Sequence, residues 1–372
     1  MRGQIRKRGK SWAVVVYLGR EQHSGRKIRK WYTHATRQAA EAHLVQLLAQ
    51  LQAGGGLPPS RLRTGEYLEQ WLRDYAVGAL APSTFVSYQR IGRRHPGPSL
   101  GHVPLGRLTA QAVQGYLSRT PARGLSSTTA LYHYRVLHEA LRHAVRWGLL
   151  TRSPMDFVDP PRRRQVQMRV WDEEQVRLFL AEAKRSSPHY PLYLAAILTG
   201  MRQGELLGLR WRDVDLTIGV ASIQQTFYRL GGKLVFRQPK TAKARRTVDL
   251  PPALTEELLR LRNRQVELHQ YLGCERDLDL VFCQPNGNPL HAHNLVNRDF
   301  RMVTKRASLP RIRFHDLRHS HATHLLRAGI HPKVVQERLG HSTPAFTLAV
   351  YSHVLPGIQA EAARLVASRL LG

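Results

Sequence analysis

The chain has 372 residues, of which 57 are Lys or Arg against 26 Asp or Glu, for a formal net charge of +31. That length supplies two or three domains with cores of their own and excludes a small stapled scaffold. The positive charge runs along the whole chain and calls for a polyanion. Nucleic acid fits best, because Lys and Arg that neutralise phosphates release counterions and drive association.

A membrane surface would meet the same charge. However, no run of about 18 apolar residues occurs, and the start MRGQIRKRGKSW lacks a signal peptide's apolar stretch, so a soluble, cytoplasmic, nucleic-acid-associated protein is expected. Cys274 and Cys283 lie in one short stretch without metal-ligand companions and read as plain reduced thiols.

Two breaks divide the chain: Ala53 to Pro59, with three consecutive glycines and two prolines, and Asp159 to Arg164, with two prolines and three arginines. In the first segment Trp12, Val14, Val16 and Leu18 alternate with Ala13, Val15 and Tyr17, which predicts a strand, and Lys27 to Tyr32 predicts a second, very basic one. A helix capped by Thr36 follows, with Ala40, Leu44, Leu47, Leu48 and Leu51 as its apolar stripe. Residues 1–63 carry 13 Lys and Arg against two glutamates. Lys27, Arg29 and Lys30 here, and Arg162, Arg163 and Arg164 at the second break, are candidate phosphate contacts.

The second segment shows only helical spacing: Tyr67, Leu68, Trp71, Leu72 and Tyr75, then Phe85 and Tyr88 after Pro82, then a longer helix from Ser126–Ser127 with Leu131, Tyr134, Leu137, Leu141 and Val145 on one face. The third begins near Trp171, where Asp172 and Gln175 form a capping box. Two helices lead to a short sheet read from Val220–Phe227, a turn at Gly231–Gly232, Leu234–Phe236 and Arg245–Leu250. More helices follow, the last with Ile358, Ala362, Leu365, Val366 and Leu370 at helical spacing. The fold class is therefore α+β and multidomain: a sheet-plus-helix domain over residues 1–56, an all-helical domain over 64–160, and a mainly helical domain with a small antiparallel sheet over 168–372.

Five places in the third segment hold reactive groups: Thr199-Gly200-Met201-Arg202-Gln203-Gly204-Glu205, Gln238-Pro239-Lys240-Thr241, His315-Asp316-Leu317-Arg318-His319, Leu339-Gly340-His341-Ser342 and Val350-Tyr351-Ser352-His353. In order and spacing, with His315 three before Arg318 and His341 ten before Tyr351, they resemble the active-site set of the tyrosine recombinases of the phage-integrase type. The resemblance is strongest from about Trp171 to Leu355. The middle segment is similar to that family's core-binding domain, and the first to the small domain that integrases of phages and conjugative elements use for arm sites.

What the resemblance implies is a DNA-cutting-and-rejoining enzyme acting through a covalent 3′-phosphotyrosine at Tyr351, without a cofactor. A tyrosine with a pKa of about 10 needs help to ionise at neutral pH, and His315 is the candidate base. Arg202, Arg318 and His341 would contact the non-bridging oxygens of the reacting phosphate, Lys240 would protonate the leaving 5′-oxygen, and Glu205 would support Arg202. The partners implied are double-stranded DNA at core and arm sites, three further copies of the chain at synapsis, and excision or host bending factors, in the cytoplasm of a bacterial host. The final helix would cap its own domain or, by the family's habit, dock on a neighbouring copy. His315, His319, His321 and His324 also invite a zinc reading, but the glutamate such a motif needs is missing, so no metal is expected. A housekeeping chromosome-dimer-resolving recombinase, a catalytically inactive DNA-binding accessory protein and a type IB topoisomerase are the alternatives.

Overall fold

The computed structural model describes residues 3–9, 11–20, 27–52, 62–163, 168–238, 245–273, 278–341, 343–351 and 358–371. The chain divides into two compact units, Met1–Val166 and Gln167–Gly372.

In the first unit, strands β1 (Gly3–Arg8), β2 (Ser11–Arg20) and β3 (Lys27–His34) form an antiparallel sheet with β2 in the centre. The sequence reading missed β1 because Gln4, Arg6, Lys7 and Arg8 leave Ile5 as its sole large apolar residue, too little for a period-two signal. Ile5, Val14 and Tyr32 stand side by side in the register. With Trp12 they pack against Ala40, Leu44 and Leu47 of helix Arg37–Gln52, whose Ala39 N–H is capped by Thr36 Oγ1 at 3.2 Å.

The same unit contains helices Thr64–Trp71, Pro82–Arg94, Ala110–Ser118 and Ser127–Arg146, built on Tyr67, Trp71, Leu137 and Leu141. Ser126 caps the longest, as expected. Its buried face is rotated from the expected one: Ala130, His133, Val136, Ala140 and Ala144 are buried with Leu137 and Leu141, whereas Leu131, Tyr134 and Val145 are half-buried. Small residues let the neighbouring helices approach closely, and a reading weighted toward large side chains discounts them.

The second unit opens on Trp171, whose main-chain N–H donates to Ser320 Oγ at 3.0 Å and whose indole N–H donates to the Pro310 carbonyl at 3.0 Å. Asp172 and Gln175 form the expected reciprocal cap on helix Glu173–Ser186. Helix Tyr190–Thr199 is buried on almost every side and packs Tyr193 into an aromatic cluster with Phe179, Phe300 and Phe314.

The sheet region departs from expectation in one respect. The run Val220–Phe227 breaks at Gln224–Gln225, giving two sheets in place of one: β4 (Val214–Asp215), β5 (Val220–Ile223) and β8 (Arg246–Asp249) form the first, and the hairpin β6 (Thr226–Leu230) and β7 (Lys233–Arg237) the second. Gln225 Nε2 turns aside to the Gly208 carbonyl at 2.9 Å, and β6 packs on the short helix Gln203–Leu207. Helices Pro252–Leu272, Arg301–Arg306, Asp316–Arg327, Pro332–Leu339, Pro344–Tyr351 and Ile358–Leu371 complete the unit. Among the described residues no helix is long and apolar enough to cross a membrane, and no group of side chains is arranged to hold a metal ion. Cys283 Sγ accepts from Gln265 Nε2 at 3.3 Å, and Cys274 lies outside the described residues.

Gly200 ends helix Tyr190–Thr199 in the left-handed region at φ +64°, and a Cβ there would stand 2.6 Å from His321 Cδ2 and 2.7 Å from Leu339 Cδ2. Gly273 ends helix Pro252–Leu272 at φ +61°, and a Cβ there would meet no atom of the described residues within 4 Å. Gly273→Ala is expected to cost only the backbone strain, about 1–2 kcal/mol. Gly200→Ala should cost clearly more and lower the thermal midpoint further, by roughly 2–4 °C for each additional kcal/mol. Equal midpoints for the two variants would show that the packing at Gly200 is not tight.

Candidate active site

The last carbonyls of an α-helix have no partner within the helix, and they form the negative end of its dipole. At the end of helix Pro332–Leu339 three consecutive carbonyls each accept from a different arginine. Arg246 Nε donates to the Arg338 carbonyl at 2.6 Å, Arg318 Nη2 to that of Leu339 at 2.6 Å, and Arg202 Nη2 to that of Gly340 at 3.0 Å. Gly340 makes the turn possible by taking φ +63°, and His341 follows at once.

Each arginine reaches this turn from a different element. Arg202 sits at the start of helix Gln203–Leu207, with its side chain about a third exposed. Arg318 projects from the first turn of helix Asp316–Arg327 and is buried, its Nη1 donating to the Gly200 carbonyl at 2.7 Å. Arg246 comes from β8 and is also buried. Glu205, 2% exposed, ties two of them together. Its Oε1 accepts from Arg202 Nη1 at 2.7 Å and Arg246 Nη1 at 3.2 Å, and its Oε2 from the Arg202 main-chain N–H at 2.8 Å and Arg246 Nη2 at 3.0 Å. Burial alone would raise the Glu205 pKa, but hydrogen bonds from Arg246 and the charges of Arg246 and Arg202 outweigh it and hold the carboxyl below its ordinary value.

His341 is buried, with Nδ1 2.9 Å from Thr347 Oγ1. Its main-chain N–H donates to the Gln336 carbonyl at 3.0 Å, and its carbonyl accepts from Gln336 Nε2 at 2.6 Å. Burial, then the charges of Arg318, Arg202, His319 and Arg246, push its pKa down to about 3. It is therefore a neutral imidazole at pH 7. His315 stands exposed immediately before helix Asp316–Arg327, its ring 5.0 Å from that of His319. Desolvation and then the charge of Arg318 lower its pKa, with Asp316 opposing.

Arg202, Glu205, His315, Arg318 and His341 are thus brought together. Tyr351 is described by its backbone alone, as the last residue of helix Pro344–Tyr351. Lys240 lies outside the described residues, between β7 and β8. Arg162 and Arg163 are exposed beyond the last helix of the first unit, and Arg164 lies outside the described residues. Lys27, Arg29 and Lys30 belong to β3.

The sequence reading missed Arg246, Gln336 and Thr347. A signal for the first existed: Arg246 shares the inward phase of its strand with Val248 and Leu250, and an arginine on the apolar phase of a buried strand demands a buried partner.

This architecture matches known proteins. The model of the phage integrase family fits residues 169–357, and that of the phage integrase N-terminal SAM-like domain fits residues 65–120. The chain belongs to the phage integrase family. It is a tyrosine recombinase, a DNA breaking-and-rejoining enzyme of the site-specific integrase type. Among its relatives, a tyrosine recombinase XerC-like protein of Caldanaerobacter subterraneus is 29% identical over 371 residues, 94% of each chain. The ICEBs1 integrase of Bacillus subtilis is 25% identical over 353 residues, 95% of each. A structure of the Tn1549 transposon integrase in complex with a circular intermediate DNA shares the fold with a TM-score of 0.71 at 23% identity, covering 82% of this chain and all of that one. The lambda integrase, solved as a tetramer bound to a Holliday junction, gives 0.59 at 17% identity, covering 93% and 94%.

Two outcomes follow from the buried charges. Arg246→Met removes one of two cations from a buried carboxylate. It is expected to cost toward the lower end of the roughly 3–5 kcal/mol typical of a broken buried pair, and adding Glu205→Gln should restore part of that in denaturant unfolding. Additive losses would show that the two groups do not interact.

The second concerns pH. His319, His321 and His341 have folded pKa values pushed down to about 4, 3 and 3 from 6.5, chiefly by burial. Below pH 6.5 the unfolded chain binds protons that the folded chain refuses, so stability is full above pH 6.5 and falls as pH drops toward 4. Glu205, held low, keeps its contribution until pH falls below the ordinary carboxyl range. His321→Asn should flatten the unfolding-midpoint profile over pH 4–6.5, by a limiting slope of about 1.4 kcal/mol per pH unit. An unchanged slope would contradict the buried neutral state of His321.

Proposed function

We propose that this integrase cleaves DNA through Tyr351, with Arg202, Arg318 and His341 stabilising the reacting phosphate, His315 as base and Lys240 as general acid. The observation that carries the reading is the seating of three guanidiniums on three consecutive carbonyls beside His341. Carbonyls fix a guanidinium without neutralising it, so the cluster is a preorganised anion site.

The Tyr351 hydroxyl attacks phosphorus, a bond to the tyrosine oxygen forms, and the bond to the 5′-oxygen breaks. His315, neutral at pH 7, takes the phenolic proton, and Lys240 gives one to the leaving oxygen. A 5′-hydroxyl of another strand then attacks the 3′-phosphotyrosine and frees Tyr351. The phosphodiester's energy is conserved in the intermediate, so rejoining needs no cofactor. In this reading Glu205 and Arg246 hold Arg202 in place.

The division of the first unit into an arm-binding domain, residues 1–56, and a core-binding domain, residues 64–160, with a catalytic domain over 168–372, belongs to the same proposal. Its support is that the sheet and the helical part have separate cores. On the sheet face away from helix Arg37–Gln52, the register aligns Gln4 with Val15 and Trp31, and Arg6 with Ala13 and Thr33. Cations alternate there with groups able to read base edges, and Arg8 stacks over Trp31 at 5.3 Å. Lys27, Arg29 and Lys30 on β3, with Arg162, Arg163 and Arg164, would add phosphate contacts. The enzyme would act as a homotetramer on core and arm sites of a phage or conjugative element, with excision and host bending factors, in the cytoplasm of a bacterial host.

The test uses a nicked suicide duplex carrying the end sequence of the element. Wild-type protein should form a covalent adduct, whereas Tyr351→Phe should bind with unchanged affinity and trap none. Adduct formation by Tyr351→Phe would remove Tyr351 from the role.

A further inference from the structure

A neutral imidazole has one N–H, and the partner of one ring nitrogen decides which nitrogen carries it. His341 can serve a phosphate oxygen as a neutral group only if the proton sits on the nitrogen that faces the phosphate. Nδ1 lies 2.9 Å from Thr347 Oγ1, with Thr347 fully buried and His341 only 7% exposed. The His341 N–H bond to the Gln336 carbonyl and the Gln336 Nε2 bond to the His341 carbonyl fix the backbone of His341, and its buried ring sits with Nδ1 toward Thr347. Among the described residues, the charged and titratable groups that act on the ring are Arg318, Arg202, His319 and Arg246, all cations or histidines. None of these supplies a carboxylate that could hold a proton on Nδ1.

Thr347 also sits four residues before Tyr351 in helix Pro344–Tyr351, one turn away on the same side. A threonine in an otherwise apolar helix stretch, Ala345 to Val350, is a polar group buried for a purpose.

We propose that Thr347 is a positioning residue whose hydroxyl donates to His341 Nδ1, placing the ring proton on Nε2 for the phosphate and registering the Tyr351 helix against the arginine cluster. This rests on the reading that His341 donates to the phosphate. When the hydroxyl gives its one proton to Nδ1, Nδ1 accepts and Nε2 bears the N–H; the opposite tautomer would make the hydroxyl the acceptor. When helix Pro344–Tyr351 is unseated the contact is lost, and the ring is free to take the unproductive tautomer. Correct protonation of the phosphate donor is thereby coupled to placement of the nucleophile.

The test compares full-length wild type, Thr347→Val, Thr347→Ser and His341→Gln. The ring nitrogens are labelled with ¹⁵N-histidine and observed by NMR, and His341 is assigned by its loss in His341→Gln. Single-turnover cleavage of the suicide duplex is measured alongside DNA affinity. Wild type and Thr347→Ser should report the Nε2–H form. Thr347→Val, nearly isosteric, should populate the Nδ1–H form and cleave on the order of 10²-fold more slowly at unchanged affinity, as for loss of a transition-state donor.

A wild-type protein in the Nδ1–H form, or a Thr347→Val variant with both the Nε2–H form and wild-type rate, overturns the proposal. Should Thr347→Val fail to fold, the wild-type tautomer and the Thr347→Ser rate decide it. The two readings separate cleanly: a His341→Gln variant with full rate defeats the underlying role of His341, whereas a slow His341→Gln beside a normal Thr347→Val defeats only the role of Thr347.

Discussion

The site depends on one short turn. Where helix Pro332–Leu339 ends, Gly340 adopts a left-handed conformation, and the carbonyls of Arg338, Leu339 and Gly340 splay toward three guanidiniums arriving from a strand and two helix starts. The turn is of the Schellman type: His341 N–H donates to the Gln336 carbonyl and Gly340 N–H to that of Glu337, which leaves the next three carbonyls without a main-chain donor from this turn. Here the unsatisfied groups serve as a template that sets the spacing of the cations. Gly340 cannot gain a side chain cheaply, because a Cβ would stand 3.0 Å from Arg246 Nη1. Gly200, on the other side, is constrained by His321 and Leu339 and offers its own carbonyl to Arg318. Two helix C-termini therefore converge on one arginine.

The histidines gain their character from the same cluster. Burial first, and neighbouring positive charge second, disfavour imidazolium, so His315, His319 and His341 are all shifted toward the neutral form. A base must be neutral to accept a proton, and a neutral donor adds a hydrogen bond without further charge repulsion. The arginines thus add to the effect of burial on the protonation state of their neighbours.

Much of this was legible in the sequence. The capping box of Asp172 and Gln175, the Thr36 and Ser126 caps and the joint order of Arg202, His315, Arg318 and His341 needed only local chemistry or spacing. The rest depends on contacts distant in sequence. β1 was invisible because its cations hide the single inward Ile5, and the face of helix Ser127–Arg146 was misjudged because alanines carry its close packing. Arg246 carried a faint signal in its strand phase. Thr347 carried almost none, since its meaning lies in a ring nitrogen brought over by the turn at Gly340. The split of Val220–Phe227 into two strands falls at Gln224–Gln225, where the Gln225 side chain bonds the Gly208 carbonyl, a partner distant in sequence.

The choice of partners for the arginines also explains why Glu205 sits where it does. Glu205 bonds to Arg202 and Arg246, while Arg318 donates to the carbonyls of Gly200 and Leu339. A carboxylate on Arg318 would compete with any incoming phosphate, and its removal would have to be repeated in every reaction cycle. A carbonyl holds the same geometry with a partial charge, leaving most of the cation's field directed at the anion. Arg246, buried on the far side of Glu205, offsets that carboxylate so that Arg202 is oriented by it without being neutralised. One carboxylate shared by two guanidiniums, with main-chain dipoles for the remainder, keeps the cluster folded and still leaves it a net positive charge.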